Sequence, residues 1–202
     1  WINKNSYFYN DDYSYMKFLI KPGSRVLDLG CGGGQLLNAL NPSYGMGVDL
    51  SHKVISIAQK EYPNLDFIQG DLEDKNLISL IQGKFDFIVM SDTIGDLDDC
   101  QSTFSNLHSL CTPQTRLIIS YYSWRWDPIL RLGEKLGLSM PSPSVNWIST
   151  DDTSGFLHLA DFEVVKREWR QLIPKKIFGL GSFVNRFFGT LPIIRRLSLR
   201  NY

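Results

Sequence analysis

Residues Arg25 to Leu37 read R-V-L-D-L-G-C-G-G-G-Q-L-L, and few folds can use such a stretch. Val26, Leu27 and Leu29 surround a single acid, Asp28, in the pattern of a buried strand. Gly30, Gly32 and Gly34 follow at alternate positions with Gly33 between them, and Leu36, Leu37 and Leu40 then recur at helical spacing. The order is strand, tight turn, helix. Glycine serves where the backbone needs positive φ, and where a ligand lies against the chain with no Cβ in the way. The helix that follows turns its unpaired N–H groups toward the same space. A glycine-rich turn alone is a weak signal, and the rest of the chain decides its meaning.

Short apolar strands alternate with helices on either side of this turn. Strands are expected over Tyr44–Leu50, Leu65–Asp71, Phe85–Asp92 and Arg116–Tyr122. Helices are expected from Ser51, as cap, to about Glu61, from Glu73 to Gln82, and from about Asp99 to Cys111. This alternation predicts a parallel sheet with helices on both faces and right-handed connections. Phe85–Asp92 is nearly continuous in apolar residues, as a strand covered on both faces requires. Residues 1–22 form an aromatic leader carrying Tyr7, Phe8, Tyr9, Tyr13, Tyr15 and Phe18. Asp11 or Asp12 is expected to cap a short helix that runs to Ile20 and stops at Pro22-Gly23.

Beyond the fifth strand the alternation loosens. The pattern predicts a helix over Trp124–Gly137, a loop over Met140–Val145 and a helix over Thr150–Ala160 capped by Thr150 or Asp151. A strand over Phe162–Trp169, a basic and aromatic excursion over Pro174–Pro192 and a last strand over Arg196–Tyr202 complete the chain.

At 202 residues the sequence is that of one domain. No apolar run approaches the roughly 20 residues that span a bilayer, and no signal-peptide pattern opens the chain. Cys31, Cys100 and Cys111 show no metal-ligand spacing, which points to a reducing, cytoplasmic setting without a structural metal. The chain opens on Trp1, as a fragment of a longer protein would. Formal charge is zero overall but unevenly spread, since residues 165–202 hold nine Lys/Arg and one acid, Glu168. Either the surface is simply divided between two regions, or the basic end faces a phosphate-bearing partner or an anionic membrane.

In an open α/β sheet, ligands bind outside the carboxyl ends of the strands, where the strand order reverses. Asp49, Asp71 and Asp92 each end a strand and therefore share that edge. Asp49 falls where a carboxylate can accept both hydroxyls of a ribose. A dinucleotide site would want G-x-G-x-x-G, whereas the sixth position here is Gln35. Asp28, inside the strand and close to the turn, would repel a pyrophosphate and suits a cationic group, an amino group or a sulfonium.

With these residues in view, D-L-G-C-G-G-G resembles motif I of the class I S-adenosylmethionine-dependent methyltransferases. G-V-D-L-S is similar to that family's ribose-binding segment, G-D-L-E to its third motif and F-D-F-I-V-M-S-D to its fourth. The resemblance covers roughly Lys21 to Tyr122. It implies a single domain over 1–202, Rossmann-like, with a seven-stranded, mostly parallel sheet and an antiparallel last strand pair. Residues 123–160 and 174–194 would be acceptor-side insertions.

The resemblance also implies S-adenosyl-L-methionine as cofactor and S-adenosyl-L-homocysteine as product. Gly30 and Gly32 would approach the methionine part, Asp28 would hold its amino group directly or through water, Asp49 would take the ribose, and Leu50 would also belong to the cofactor site. Asp71 and Leu72 would take the adenine, and Ser91 and Asp92 would lie beside the sulfonium. Tyr9, within Y-F-Y, resembles tyrosines that related enzymes place over the cofactor carboxylate.

Methyl transfer from a sulfonium is a direct displacement that needs alignment and exclusion of water. A base helps only when the acceptor must lose a proton, and Asp92 is the candidate. The segment S-D-T-I departs from the N-P-P-Y type that cradles a planar amino group, so nucleic-acid bases are not the expected acceptor. Hydroxyl, carboxyl, amine and carbon acceptors stay open, and an oxygen or nitrogen nucleophile of a small molecule or glycan is the expected one. The cluster Asp92, Asp96, Asp98 and Asp99 reads as a solvated loop and helix start rather than a metal site. His52 opens a helix beside the ribose acid, whereas His108 and His158 read as surface or packing residues.

Tyr122, Trp124 and Trp126 leave the fifth strand at the active edge, where they either shape the acceptor pocket or pack. The aromatic, basic tail, with Phe178, Phe183, Phe187 and Phe188, reads as an acceptor-side cap, a membrane-surface contact or an oligomer contact. The leader, the S-D-T segment and the closing L-P-x-x-R-x-L-x-L-R-N-Y look similar to bacterial methyltransferase domains found beside glycosyltransferase modules, which implies a glycan or sugar-bearing acceptor. Two alternatives stand beside this reading: a non-catalytic module that keeps the fold as a scaffold, and an NAD-dependent oxidoreductase.

Overall fold

A computed structural model describes residues 5–137, 146–173, 184–185, 187, 191 and 194–202. The expected Met140–Val145 loop and most of the Pro174–Pro192 excursion lie outside the described residues. Seven strands form one sheet in the order β3-β2-β1-β4-β5-β7-β6: β1 (Arg25–Leu29), β2 (Tyr44–Asp49), β3 (Asp66–Gln69), β4 (Phe87–Ser91), β5 (Arg116–Tyr122), β6 (Trp169–Arg170) and β7 (Arg200–Asn201). β1 to β5 pair in parallel. β7 runs antiparallel to both β5 and β6. Strand order reverses at β1, which is flanked by β2 and β4, so the crevice falls at the carboxyl end of the strand that carries Asp28.

Among the described residues, helices α1 (Ser6–Leu19), α2 (Gln35–Ala39), α3 (His52–Glu61), α4 (Lys75–Leu80), α5 (Cys100–Asn106), α6 (Asp127–Lys135) and α7 (Thr150–Leu159) accompany the sheet. Alternation along the strands divides them between two faces. Leu27, Leu29, Met46, Val48, Ile88 and Met90 face Leu77 and Ile78 of α4 and Phe104 of α5, with Phe156 and Leu157 of α7 packed on their edge. Val26 and Val89 face Met16 of α1, Leu36 and Leu37 of α2, and Ile55 and Ala58 of α3. Asp28 alternates with Leu27 and Leu29 and so points to the α1–α2–α3 side. Fourteen residues at a ~1.5 Å rise make α1 roughly 21 Å long. The five residues of β1 span only about 17 Å. With Met16 and Ile20 anchored in the core, the amino-terminal half of α1 overhangs the crevice.

Several expected boundaries are corrected. α1 begins at Ser6, and Asp12 is not a cap but lies inside the helix, 3% exposed. The cap of α7 is Ser149 rather than Thr150 or Asp151, in a reciprocal box with Asp152. Truncating it in Ser149→Ala is expected to cost about 1 kcal/mol. That would lower the thermal midpoint by roughly 2–4 °C in a scanning denaturation experiment. The expected strand over Phe162–Trp169 makes no ladder bond before Glu168, whose N–H and carbonyl exchange bonds with Tyr202, and only Trp169–Arg170 joins the sheet. The last strand likewise shrinks to Arg200–Asn201, preceded by a 3₁₀ turn over Ile194–Leu197.

Candidate active site

The glycine turn folds under local constraints that differ from one glycine to the next. Gly30, Gly32 and Gly34 all have positive φ. A Cβ on Gly30 would stand 2.1 Å from Thr93 Oγ1, whose hydroxyl donates to the Leu29 carbonyl at 2.9 Å. Gly30 is thus required by the packing of β1 on the turn after β4. Beside Gly32 there is open space, and this is the glycine that leaves room for a ligand. Its N–H donates to Asp49 Oδ2 at 2.9 Å, while Ser51 N–H donates to Asp49 Oδ1 at 2.9 Å. The carboxylate at the end of β2 therefore braces the glycine turn, with one lone pair on each oxygen still available.

A cavity of about 150 Å³ opens at this edge. It is lined by Tyr9, Asp28, Gly30, Gly32, Ser91 and Asp92, six of the residues singled out in the sequence, together with Asp12, Tyr13, Cys31, Gly33, Gln35 and Leu36. Asp28 is 1% exposed and its Oδ1 has no hydrogen-bond partner. Burial, reinforced by the charge of Asp49, pushes its carboxyl up to about 7. An orphaned buried carboxylate oxygen facing a cavity is the mark of a missing donor. Burial also raises the Tyr13 hydroxyl and the Cys31 thiol, so neither ionises near neutrality.

Asp92 stands differently from the reading of it as a base. It has positive φ at the end of β4, and both of its oxygens accept from Arg200 Nη1, at 2.8 and 2.7 Å. Burial pushes its carboxyl up, with the Arg200 charge and hydrogen bonds holding against that rise. Arg200 itself is 0% exposed, from β7 at the far end of the chain. The sequence assigns no site role to Arg200, Asp12 or Thr93, because their contacts join elements distant in the chain.

The remaining expected residues lie away from the cavity. Leu50 is 69% exposed, and Leu72 is buried in the core on the opposite face. Asp71 is exposed and accepts from the Glu73 N–H at 3.0 Å. Tyr122 stacks on Phe8 of α1 with ring centroids 5.8 Å apart. Trp126 donates through Nε1 to the Leu197 carbonyl at 2.8 Å, which ties it to the chain's own carboxyl-terminal segment. Trp124 is the exposed member of the three. Asp99 caps α5 through the Ser102 N–H, and Glu73 accepts from the N–H groups of Asp98 and Asp99, so those acids serve a loop and a helix start. His52 and His158 are exposed, and His108 donates to the Ala160 carbonyl at 2.6 Å.

A parallel sheet reversed at β1, a glycine turn, an acid at the end of β2 and a cleft between them define a nucleotide-binding α/β protein. Comparison narrows the class: the model of the methyltransferase domain family matches residues 2–167, and the chain belongs to that family. Over 104 residues it is 32% identical to a malonyl-[acyl-carrier protein] O-methyltransferase of Halalkalibacterium halodurans, covering 48% of this chain and 38% of the relative. Matches to the first three curated relatives span between 38% and 47% of their length, so the chain covers less than half of each.

Among solved structures, one similar fold is an S-adenosylmethionine-dependent methyltransferase of Thermotoga maritima, described as a possible histamine N-methyltransferase. Its TM-score is 0.68 at 20% identity, over 88% of this chain and 82% of that one. Another is the magnesium protoporphyrin IX methyltransferase of Synechocystis with bound S-adenosylhomocysteine, at TM-score 0.63 and 20% identity, over 82% and 78%. Among the described residues no helix is long and apolar enough to cross a membrane.

Proposed function

We propose that this methyltransferase domain uses S-adenosylmethionine to methylate an oxygen or nitrogen nucleophile of a small molecule or glycan. The observation that carries the cofactor reading is Asp28, a fully buried carboxylate with one unpartnered oxygen on the wall of a cleft whose floor is glycine. That pairing fits the amino group of a methionine tail lying against Gly32 and fits no phosphate, which the acid would repel. When bound, S-adenosylmethionine supplies a methyl already activated on a sulfonium.

The residues then divide the work. Asp28 holds the amino group, the free lone pairs of Asp49 take the ribose, and the exposed Leu50 and Asp71 flank the open adenine side. Tyr9 and Tyr13 form the α1 wall of the cleft, against which the cofactor lies. Asp92, with both oxygens on Arg200, shapes the transfer edge instead of collecting a proton. The domain therefore works by alignment, and an acceptor that must lose a proton brings its own acidity or hands the proton to solvent. O-methyltransferases among the relatives support an oxygen acceptor, and exposed Trp124 offers a ring face on which a sugar can stack.

Calorimetric titration with S-adenosylmethionine, S-adenosylhomocysteine and NADH tests the cofactor. Micromolar binding of both adenosyl ligands and none of NADH is expected, and NADH binding alone would overturn the reading. Transfer of labelled methyl to a panel of glycans and small hydroxyl and amino compounds tests the acceptor class. Label appearing only on a protein or nucleic acid would overturn it.

A further inference from the structure

Arg200 reaches from β7 to three elements at once, the end of β4, β5 and α1. Nη1 bonds both oxygens of Asp92, and Nη2 bonds Ser91 Oγ at 3.1 Å and Ser120 Oγ at 2.6 Å. Nε pairs with Asp12 Oδ1 at 3.1 Å, from α1, and that carboxylate also receives the Tyr202 hydroxyl. The guanidinium lies among the rings of Phe8, Tyr122 and Tyr202, with its carbon 5.3, 5.3 and 5.8 Å from their centroids. Both Nη groups are thus hydrogen-bonded, while Nε stands at ion-pair distance from Asp12 without a hydrogen bond of its own. Only arginine's flat fork can divide itself between two carboxylates and two hydroxyls in this way.

Packing alone gives little reason for such a group. A guanidinium withdrawn from water costs several kcal/mol, and apolar residues of similar volume commonly serve stability as well or better. What the cluster does specify is where α1 lies relative to the end of β4. Asp12 and Asp92 both line the cleft, one on each wall, and Arg200 is the bond between the walls. The cleft encloses about 150 Å³. Sites for small molecules run from roughly 300 to 1,000 Å³. Since α1 supplies Tyr9, Asp12 and Tyr13 to the wall, room for a nucleoside-sized ligand comes from the seating of that helix.

We propose that Arg200 is a positioning residue for methyl transfer: by holding Asp12 and Asp92 on one guanidinium, it makes the seating of α1 and the shape of the cofactor cleft a single event. Arg200 touches neither cofactor nor acceptor; it acts through Asp92 at the transfer edge and through α1 above it. The inference rests on the cofactor reading above and adds to it the coupling of two walls.

Amide hydrogen exchange on the full chain, with and without S-adenosylhomocysteine, tests it in wild type, Arg200→Met, Arg200→Lys and Asp12→Asn. In wild type the ligand is expected to slow exchange over Ser6–Leu19. In Arg200→Met that response disappears while Val26–Leu29 and Phe87–Ser91 stay protected, and ligand affinity falls at least tenfold. Arg200→Lys keeps the charge but reaches one carboxylate at a time, and recovers part of both effects. If Arg200→Met does not fold, Asp12→Asn carries the test, because it weakens the α1 link and leaves Arg200 on Asp92. A folded Arg200→Met or Asp12→Asn that binds within twofold of wild type, with α1 still responding to ligand, overturns the proposal. A wild-type chain that binds no S-adenosylhomocysteine overturns the cofactor reading instead, and the ligand-free exchange of α1 in wild type and Arg200→Met then still reports whether Arg200 joins the two walls.

Discussion

Lowering the pH from 8 to 6 is expected to weaken S-adenosylhomocysteine binding about tenfold and to release close to one proton per ligand bound at the lower pH. The cause is Asp28. In the unliganded fold its carboxyl is raised to about 7 by burial and by Asp49, so at pH 6 most molecules hold a proton there. An ammonium group binds the ionised form, and the proton must leave first. For the unliganded chain the sign is opposite to that of an ordinary paired carboxylate. The unfolded chain releases this proton near pH 3.8 and the folded chain near 7, so between those values the folded state holds more protons. Its contribution to stability is fully present below the lower value and is lost as pH rises to the upper one, by about 4 kcal/mol over the interval. Asp28→Asn removes both effects: the unliganded stability becomes flatter with pH, and the affinity at pH 8 falls roughly 10–100-fold for loss of a buried charged hydrogen bond. Titration at pH 6 in two buffers of different ionisation enthalpy reads the proton directly. Equal heats in both, or an Asn variant that binds like wild type, would exclude the assignment.

The part of this site that could be read from the sequence is the part built from neighbours along the chain. β5 runs over Arg116–Tyr122, the limits its apolar pattern predicts, and β1 with its glycine turn stands where the motif puts it. Each of those segments is specified by its own burial and by a turn that only glycine can make. Asp49 was legible for the same reason, as the last residue of a patterned strand.

Asp12 shows where such reading stops. By local rules an aspartate near the start of a helical pattern is a cap, yet here it lies two turns inside α1 because Arg200 and Tyr202 pair with it from the other end of the chain. The short β6 and β7 have the same origin. A two-residue strand has no periodicity to detect, and its place is set by pairing with β5 and by the Glu168–Tyr202 exchange. Asp92 illustrates the consequence for chemistry, since an acid at the end of a strand reads as a free base until its counter-ion is seen. Leu72 adds a smaller lesson: a leucine beside a cofactor acid was expected in the pocket, and the turn after β3 sends it into the core.

Two single-methyl substitutions in the glycine turn are expected to separate folding from binding. In Gly30→Ala the new Cβ would fall 2.1 Å from Thr93 Oγ1 at a φ of +79°. Thr93 cannot swing away without abandoning its bond to the Leu29 carbonyl, so backbone strain and overpacking add. The cost is about 3 kcal/mol or more, a midpoint lower by roughly 6–12 °C for a chain of this size. In Gly32→Ala the methyl meets nothing within 4 Å, and the N–H bond to Asp49 is retained. Only the φ of +52° is penalised, at about 1–2 kcal/mol. That methyl, however, projects where the ligand is proposed to lie, so affinity for S-adenosylhomocysteine should fall at least tenfold and the ligand should no longer raise the midpoint. Thermal denaturation of both variants, with and without ligand, decides the matter. Equal destabilisation of the two would mean that the turn gives way around Thr93. Undiminished binding by Gly32→Ala would mean that the cofactor approaches the chain elsewhere along the turn.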